Sequence, residues 1–292
     1  MKQETGGEKR TGTLYLCATP IGNLGDITAR VLSTLAEVDL IAAEDTRNTM
    51  RLLTHFDIHT PLTSYHEYNR AEKAEELVVV LSSGKDVALV TDAGTPAISD
   101  PGEVLVAQCH EAGIRVTSLP GPSAVVTALS LSGLSTRRFV FEGFLPGRED
   151  RKLRNEILEA LRDEPRTIVL YEAPHHLCAL LNDLVETLGG DRRIAVCREL
   201  TKVFEEVTVC TLAEALAFYR DNEPRGEFVL VIEGIGMNGL KEMEQKLWER
   251  WTVPEHVAHY EERGLTRMEA MKRVAKDRGV SKSEIYWELL QS

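Results

Sequence analysis

Apolar and polar positions follow two different periods along the first 120 residues. Short runs rich in β-branched residues predict strands at 14–19, 38–43, 87–91 and 115–119. Between these strands, apolar residues recur at helical spacing over 28–37, 46–56, 70–82 and 101–112. Strands that alternate with helices predict a mainly parallel sheet that is covered by helices.

The strand pattern starts again after a turn with the sequence Pro-Gly-Pro-Ser at 120–123. Strands are predicted at 139–146, 167–173, 193–200, 205–211 and 227–234. Only one short helix, at 212–219, interrupts the last three, and this close spacing predicts antiparallel pairing. We therefore predict two α/β domains at 13–121 and 122–236, after a disordered lead-in at 1–12.

Strand signals are absent beyond Gly239, and the remaining chain predicts a helical tail at 240–292. Thr266 and Ser281 are each followed three residues later by a glutamate, which is typical of capping boxes at helix starts. Six bases stand against two acids between Gly264 and Lys282, a local charge of +4. This helix-turn-helix pattern is compatible with an RNA or phosphate contact, and equally with the solvated face of a small helical subdomain.

Composition narrows the class of protein. The 292 residues hold 34 Lys and Arg against 46 Asp and Glu, a net charge of −12, with ordinary shares of hydrophobic and charged residues. No apolar run is long enough to cross a bilayer and the N-terminus is polar, so we expect a cytoplasmic protein without membrane contact. The five scattered cysteines predict reduced thiols, and no histidine pair has the further ligands that a metal site requires.

Glycine- and proline-rich loops follow several of the predicted strands. They lie at 19–26, 92–102 and 120–123, and the acidic segment Ala-Glu-Asp-Thr-Arg at 43–47 follows the second strand. Open α/β sheets bind ligands at the carboxyl ends of their strands. Such loops also let backbone groups approach a small molecule closely. Together they predict a ligand cleft.

These loops belong to a longer series of unusual motifs. In chain order the series is ATPIGNLGDIT, LIAAEDTR, VTDAGTPAISDPG, LPGPSAVVTALSLSGL, FVFEGFLP, YEAPHH, RELTK and RGEFVLVIEG. In order and spacing from residue 13 to 234 it resembles the tetrapyrrole methylase superfamily, and most of all its ribosomal RNA branch. The AEDTR segment and the extended GFLP stretch favour that branch over the enzymes that methylate corrin and porphyrin precursors.

The resemblance implies a class III methyltransferase with S-adenosylmethionine bound in the cleft between two α/β domains, followed by the helical tail. The implied reaction is 2′-O-methylation of a cytidine in the decoding region of 16S rRNA, in the small ribosomal subunit. It also suggests a homodimer. Two alternatives stay open: methylation of a tetrapyrrole precursor or other small anion, and a helix-turn-helix protein whose α/β part senses a ligand.

The resemblance further implies which residues bind the cofactor. The first domain would contribute the loops after three strands, and the second domain would close on the adenosine and methionine parts. The implied cofactor-binding residues are Pro20, Gly22, Asp92, Ala93, Gly94, Pro96, Ile98 and Ser123 from the first domain, with Tyr171, Leu200 and Gly226 from the second.

A ribose 2′-hydroxyl is a poor nucleophile, so a proton acceptor within hydrogen-bond reach should assist its attack. We expect Asp45 or Glu44 to accept the proton and Arg47 to steer the RNA. Alternatively, Asp45 caps the helix that starts at Thr46, and Glu44 pairs with Arg47.

Contacts to an RNA substrate require bases near the cleft, because the whole chain is acidic. The segment 137–154 has six bases against three acids, a local charge of +3. We predict Arg148 and Arg151 in this segment, and Lys202 next to the RELTK motif, as RNA contacts.

Overall fold

The computed structural model describes residues 11–236, Gly239, Trp248 and 251–291. Nearly all of the predicted lead-in and most of the first part of the predicted helical tail, 240–250, lie outside the described residues, as does the side chain of Arg148. The described part contains two five-stranded sheets and a C-terminal group of three helices.

The first sheet is parallel throughout, as the sequence predicted. Its order is β3-β2-β4-β1-β5, with β1 Thr13–Cys17, β2 Leu40–Ala43, β3 Leu62–Ser64, β4 Val87–Val90 and β5 Arg115–Leu119. All four residues of β4 are buried, because helices cover both faces of the sheet. The sequence pattern did not predict β3, a three-residue strand with only one strongly apolar side chain.

The first half of the chain is residues 13–121 and the second half is residues 122–236. Helices of the first half pack on both faces of the first sheet. They are α1 Ala29–Glu37, α2 Thr46–His55, α3 Arg70–Ser82 and α4 Gly102–Glu111. Helix α5, Ala124–Leu131, follows β5 but packs on the second sheet, where Val125 and Leu129 join Val169 and Val231 in one apolar cluster. Ile21, from the loop after β1, belongs to the same cluster, so this cluster connects the two halves.

The second sheet is mixed. Its order is β6-β7-β10-β8-β9, with β6 Phe139–Phe144, β7 Thr167–Glu172, β8 Arg193–Arg198, β9 Glu206–Thr211 and β10 Phe228–Ile232. Strand β6 pairs parallel with β7, and the other pairs are antiparallel, as predicted for 193–234. The helices of this half pack on the face opposite α5 and are α6 Arg151–Arg162, α7 Pro174–Leu188 and α8 Leu212–Asp221.

The C-terminal helices have a hydrophobic core of their own. Helices α9 Val253–Glu262, α10 Arg267–Arg278 and α11 Lys282–Gln291 bury Val257, Val274 and other apolar residues among themselves. The predicted capping boxes are confirmed by reciprocal hydrogen bonds at Thr266 and Ser281. None of the helices in the described ranges is long and apolar enough to cross a membrane.

Candidate functional site

A cavity of about 540 Å³ lies between the carboxyl ends of the first sheet and the α5 side of the second. Its size is typical of sites for small molecules and cofactors. The first half lines it with Ile21, Glu44, residues 91–95 and residues 98–100. The start of α5 adds Ser123 and Ala124, and the rest of the second half adds Phe144, residues 171–174, Leu200 and residues 227–229. The glycine- and proline-rich loops identified in the sequence therefore meet at one cleft.

Backbone pairing joins two of these loops. The N–H of Thr19 donates to the carbonyl oxygen of Gly94 at 2.9 Å, and the N–H of Gly94 donates to the carbonyl oxygen of Thr19 at 3.0 Å. Gly94 has φ +86°, a conformation that favours glycine. The loop after β4 is thus held against the loop after β1, with its residues facing the cavity.

Asp100 holds the far end of the loop after β4. Its Oδ1 accepts hydrogen bonds from the N–H groups of Ala97, at 2.9 Å, and Gly102, at 2.6 Å. Ala97 and Ser99 both have positive φ, at 65° and 58°. Backbone strain of this kind persists where the surroundings fix it, often at functional sites. Burial raises the pKa of the Asp100 carboxyl.

Two carboxylates from neighbouring strand ends meet beside this loop. Glu44 Oε2 accepts a hydrogen bond from Thr91 Oγ1 at 2.8 Å. The carboxylate of Asp92 accepts from the N–H of Asp45 at 3.1 Å and from Asn48 Nδ2 at 3.3 Å. Burial, and then the nearby negative charge of Glu44, raise the pKa of Asp92. A carboxylate with a raised pKa is a better proton acceptor.

Asp45 has a different environment from its neighbour Glu44. Its Oδ1 accepts from the Arg47 N–H at 2.8 Å, which caps α2, and its carboxylate also binds the Arg47 guanidinium at 2.7 and 3.1 Å. These hydrogen bonds lower the pKa of Asp45 to about 2. Neither Asp45 nor Arg47 is among the described residues that line the cavity. The structure therefore shows the helix-cap arrangement that the sequence left open for Asp45.

Most of the residues implied for the cofactor line the cavity. They are Asp92, Ala93, Gly94, Ile98, Ser123, Tyr171 and Leu200. Pro20, Gly22, Pro96 and Gly226 are outside the described lining.

The two glycines outside the lining make room for a charged cluster. A Cβ at Gly22 would overlap the Lys202 side chain, and one at Gly226 would lie 2.5 Å from Cγ of Glu199. Lys202 Nζ donates to Glu199 at 2.7 Å and to Glu227 at 3.0 Å. The predicted RNA contact Lys202 is thus paired with two carboxylates at the edge of the cavity, where it joins the loop after β1 to the second half.

The predicted RNA contacts in the segment 137–154 are partly described. Arg151 begins α6 and is exposed, and it has no ion-pair partner among the described residues. Arg154 in the same helix is mostly buried, with its guanidinium bound to Asp183 at 2.8 Å and to the carbonyl oxygen of Pro146 at 2.9 Å. Only the backbone of Arg148 is described.

Several residues of the cavity wall were not predicted from the sequence. Phe144 stands at the end of β6, and Glu227 to Val229 stand at and directly before the start of β10. The position of each at a strand end was a usable signal. Glu172 is buried, its Oε1 accepts from the Ala173 N–H at 2.8 Å, and burial raises its pKa.

This pair of sheets around one cleft is the architecture of a methylase class. Residues 13–216 match the model of the family described as Tetrapyrrole (Corrin/Porphyrin) Methylases, and the chain belongs to this family. Uroporphyrin-III-C-methyltransferase from Thermus thermophilus has a similar fold, with TM-score 0.54 and 20% identity over 75% of this chain and 94% of that one. Diphthine synthase is similar at TM-score 0.59 and 13% identity, over 79% of this chain and 94% of that one.

Relatives of higher identity share one name, ribosomal RNA small subunit methyltransferase I. The protein of Synechocystis sp. is 47% identical over 94% of this chain and 96% of its own. That of Halalkalibacterium halodurans is 49% identical over 94% and 93%. That of Escherichia coli O157:H7 is 50% identical over 80% and 82%.

Methylases of this family use S-adenosylmethionine. The cavity residues suit this molecule, because the buried apolar side chains of Leu200 and Val229 can accept its adenosine and the carboxylates of Glu44 and Asp92 complement its cationic sulfur. In the described part of the chain, no three His, Cys, Asp or Glu side chains are grouped as metal ligands.

Proposed function

We propose that this protein transfers a methyl group from S-adenosylmethionine to the 2′-hydroxyl of a cytidine in 16S rRNA, within the small ribosomal subunit. The observation that carries the proposal is the likeness, at 47–49% identity over 94% of the chain, to relatives named for ribosomal RNA small subunit methylation. The cleft, with its paired carboxylates, is suited to that reaction.

The cofactor supplies a methyl group on a positively charged sulfur. In the proposal, one side of the cleft holds the cofactor with Asp92, Ala93, Gly94, Ile98 and Ser123. The other side holds it with Tyr171 and Leu200. Gly22 and Gly226, outside the lining, leave room for the side chains of Lys202 and Glu199 beside these loops. The lining residues position the cofactor, because an in-line transfer requires its methyl group and the acceptor oxygen to be held at near-attack distance.

Glu44 is the proton acceptor in this proposal. It lines the cavity, whereas the Asp45 carboxylate is held by Arg47 and has a lowered pKa. Glu44 also lies close enough to Asp92 for its charge to add to the effect of burial in raising the Asp92 pKa. Arg47, which is 86% exposed, stays available to an RNA phosphate on its outer side.

The RNA surface in this proposal includes Arg151 at the start of α6 and Arg148 in the turn before it. In this proposal Lys202 stabilises the edge of the cleft and does not bind the RNA, because its charge is neutralised by the carboxylates of Glu199 and Glu227. The domain boundaries at 121–122, a homodimer and a cytoplasmic location remain predictions, and the last follows from the proposed ribosomal substrate.

The test is transfer of a labelled methyl group to small ribosomal subunits, to naked 16S rRNA and to a porphyrinogen mixture, with the product mapped by mass. We expect label in the subunit as 2′-O-methylcytidine. Label on another nucleotide would change the proposed site, and label in the porphyrinogen would contradict an RNA substrate.

A further inference from the structure

Phe144 is a large aromatic side chain on the wall of the cavity, and it is 58% exposed. Its ring contacts that of Tyr171, with centroids 5.5 Å apart, and Tyr171 in turn contacts Phe141 at 4.9 Å. What distinguishes Phe144 from the other exposed apolar side chains is its place on the cavity wall, where its ring is accessible to a bound ligand. The two rings behind Phe144 give it support on one side and leave its other side open.

A β-bulge directs Phe144 toward the cleft. Phe141 pairs with Val169 on the α5 side of the sheet, but the next pairs are Gly143 with Leu170 and Phe144 with Tyr171, so Glu142 is an extra residue. Without the bulge, successive side chains of β6 would alternate between the two faces of the sheet, and Phe144 would lie on the same face as Val140. Val140 packs against the core that α6, α7 and α8 cover, on the face opposite α5. Bulges often re-aim a side chain next to an active site.

The bulge is fitted to the loop of the first half. Gly143 has φ +63°, and a Cβ there would lie 2.8 Å from Oγ of Ser99. Ser99 neighbours Ile98, which also lines the cavity and is 52% exposed. Two exposed apolar side chains, one from each half, therefore flank the same contact between the halves.

The cavity consequently has an enclosed part and an open part. Leu200, Val229 and Gly94 are buried and form the enclosed part, which suits a small cofactor. Phe144 stands at the open part, where a substrate that comes from outside would cover it. Proteins that act on single-stranded RNA commonly stack its splayed-out bases on aromatic rings.

We infer that Phe144 is the stacking platform for the nucleobase of the nucleotide that is methylated. This inference rests on the proposed function. A base stacked on Phe144 would carry its ribose into the cleft, toward the carboxylates of Glu44 and Asp92 that line the same cavity. The platform recognises a planar base by its π-face and leaves the choice of base to other contacts.

The experiment compares Phe144→Ala, Phe144→Leu, Phe144→Tyr and Phe144→Trp in the full chain. Steady-state methylation gives KM and kcat for small subunits, and equilibrium dialysis gives the Kd of labelled S-adenosylmethionine. Thermal unfolding checks that each variant is folded. Phe218→Ala is the matched control, because Phe218 is 53% exposed and is outside the described cavity lining.

We expect Phe144→Ala and Phe144→Leu to raise KM for the subunit by about 10- to 100-fold, with unchanged cofactor Kd, since one stacked base contributes on this scale. Tyrosine and tryptophan should restore a KM near that of the original protein, and Phe218→Ala should change nothing. An unchanged KM in Phe144→Leu would overturn the platform, because leucine is apolar but has no planar face.

Weakened cofactor binding in Phe144→Ala would also overturn the inference, since it would assign the ring to the adenosine. These outcomes differ from failure of the proposed function. If the unaltered protein methylates no rRNA, the proposed function and the platform both fail. If it methylates the subunit and Phe144→Ala does so equally well, only the platform fails.

Discussion

Glu44 and Asp45 are adjacent in the chain, yet their carboxylates have different surroundings. Strand β2 ends at Ala43 and α2 begins at Thr46, so the two residues form the turn between them. The Asp45 side chain turns back to the start of α2, as an N-cap residue does, while Glu44 faces Thr91 across the neighbouring strand. The sequence alone could not separate them, because either carboxylate suits a loop at a strand end.

Neutralising these two carboxylates should therefore have different effects. We expect Glu44→Gln to lower kcat by about 100-fold or more, the usual contribution of a positioned proton acceptor. Asp45→Asn keeps an N-cap side chain but loses the Arg47 ion pair, so kcat should change little. Steady-state methylation at saturating cofactor and saturating small subunits measures kcat for both variants. Equal losses in the two variants would contradict the assignment of Glu44.

At the scale of elements, the sequence predicted most strands and helices, because long apolar runs and helical periods dominate them. It missed β3, which is held by pairing with β2 and not by a pattern of its own. The bulge in β6 was equally hidden, since Phe-Val-Phe-Glu-Gly-Phe is compatible with regular alternation. Such features depend on the neighbouring strand and on the loop that packs against them.

Gly226 gives a prediction about the segment before β10. Gly226→Ala would combine an unfavourable φ of +90° with a Cβ 2.5 Å from Cγ of Glu199, whose carboxylate accepts from the Glu227 N–H at 2.9 Å. We expect a loss of about 2 to 4 kcal/mol in the free energy of unfolding, from strain and displaced packing.

The matched control is Gly189→Ala, because Gly189 has φ +89° and no non-adjacent atom of the described residues lies within 4 Å of the position of a new Cβ. Denaturant unfolding of the two variants separates backbone strain from the loss of packing. Equal losses would show that the contact with Glu199 contributes nothing.

The C-terminal helices contain a buried histidine whose charge state should affect their stability. His256 is fully buried between the rings of Trp248 and Tyr260, and its Nδ1 accepts a hydrogen bond from Arg278 Nε at 3.2 Å. Burial, and then the positive charge of Arg278, lower the pKa of His256 to about 4, although Asp277 opposes this shift.

Because the folded-state pKa of His256 is below the ordinary value of about 6.5, the unfolded chain binds the proton more tightly. The tail should lose stability as the pH falls from about 6.5 towards 4, by up to roughly 3 kcal/mol. All three tryptophans, at 248, 251 and 287, are in the C-terminal segment, so tryptophan fluorescence reports its unfolding in the full chain. His256→Gln should abolish this pH dependence, whereas His59→Gln, at an exposed residue, should preserve it.

At the scale of the whole molecule, the net charge of −12 opposes an RNA substrate, so the position of each base matters. The loops of the cleft lie at the carboxyl ends of the first sheet's strands. Arg151 at the start of α6 is on the predicted RNA surface. Arg115 is the first residue of β5 and so lies at the amino ends of the strands, away from the cleft loops.

Reversing these two charges tests whether position or net charge governs RNA binding. Arg151→Glu and Arg115→Glu change the net charge equally, and both side chains are exposed. We expect Arg151→Glu to raise KM for small subunits about 10-fold and to weaken its dependence on salt, because a phosphate contact is lost. Arg115→Glu should have a much smaller effect. Comparable increases in KM would favour bulk charge over a defined surface.

The packing of Gly22 against Lys202 has an evolutionary consequence. These residues belong to different halves and lie far apart in the chain, yet a side chain at position 22 would occupy the space that the lysine stem fills. Mutations at the two positions should therefore be epistatic: Gly22→Ala should be tolerated better when a short residue replaces Lys202. Among diverging descendants of this sequence, positions 22 and 202 should therefore co-vary. Such paired substitutions would be evidence of the contact between the two halves.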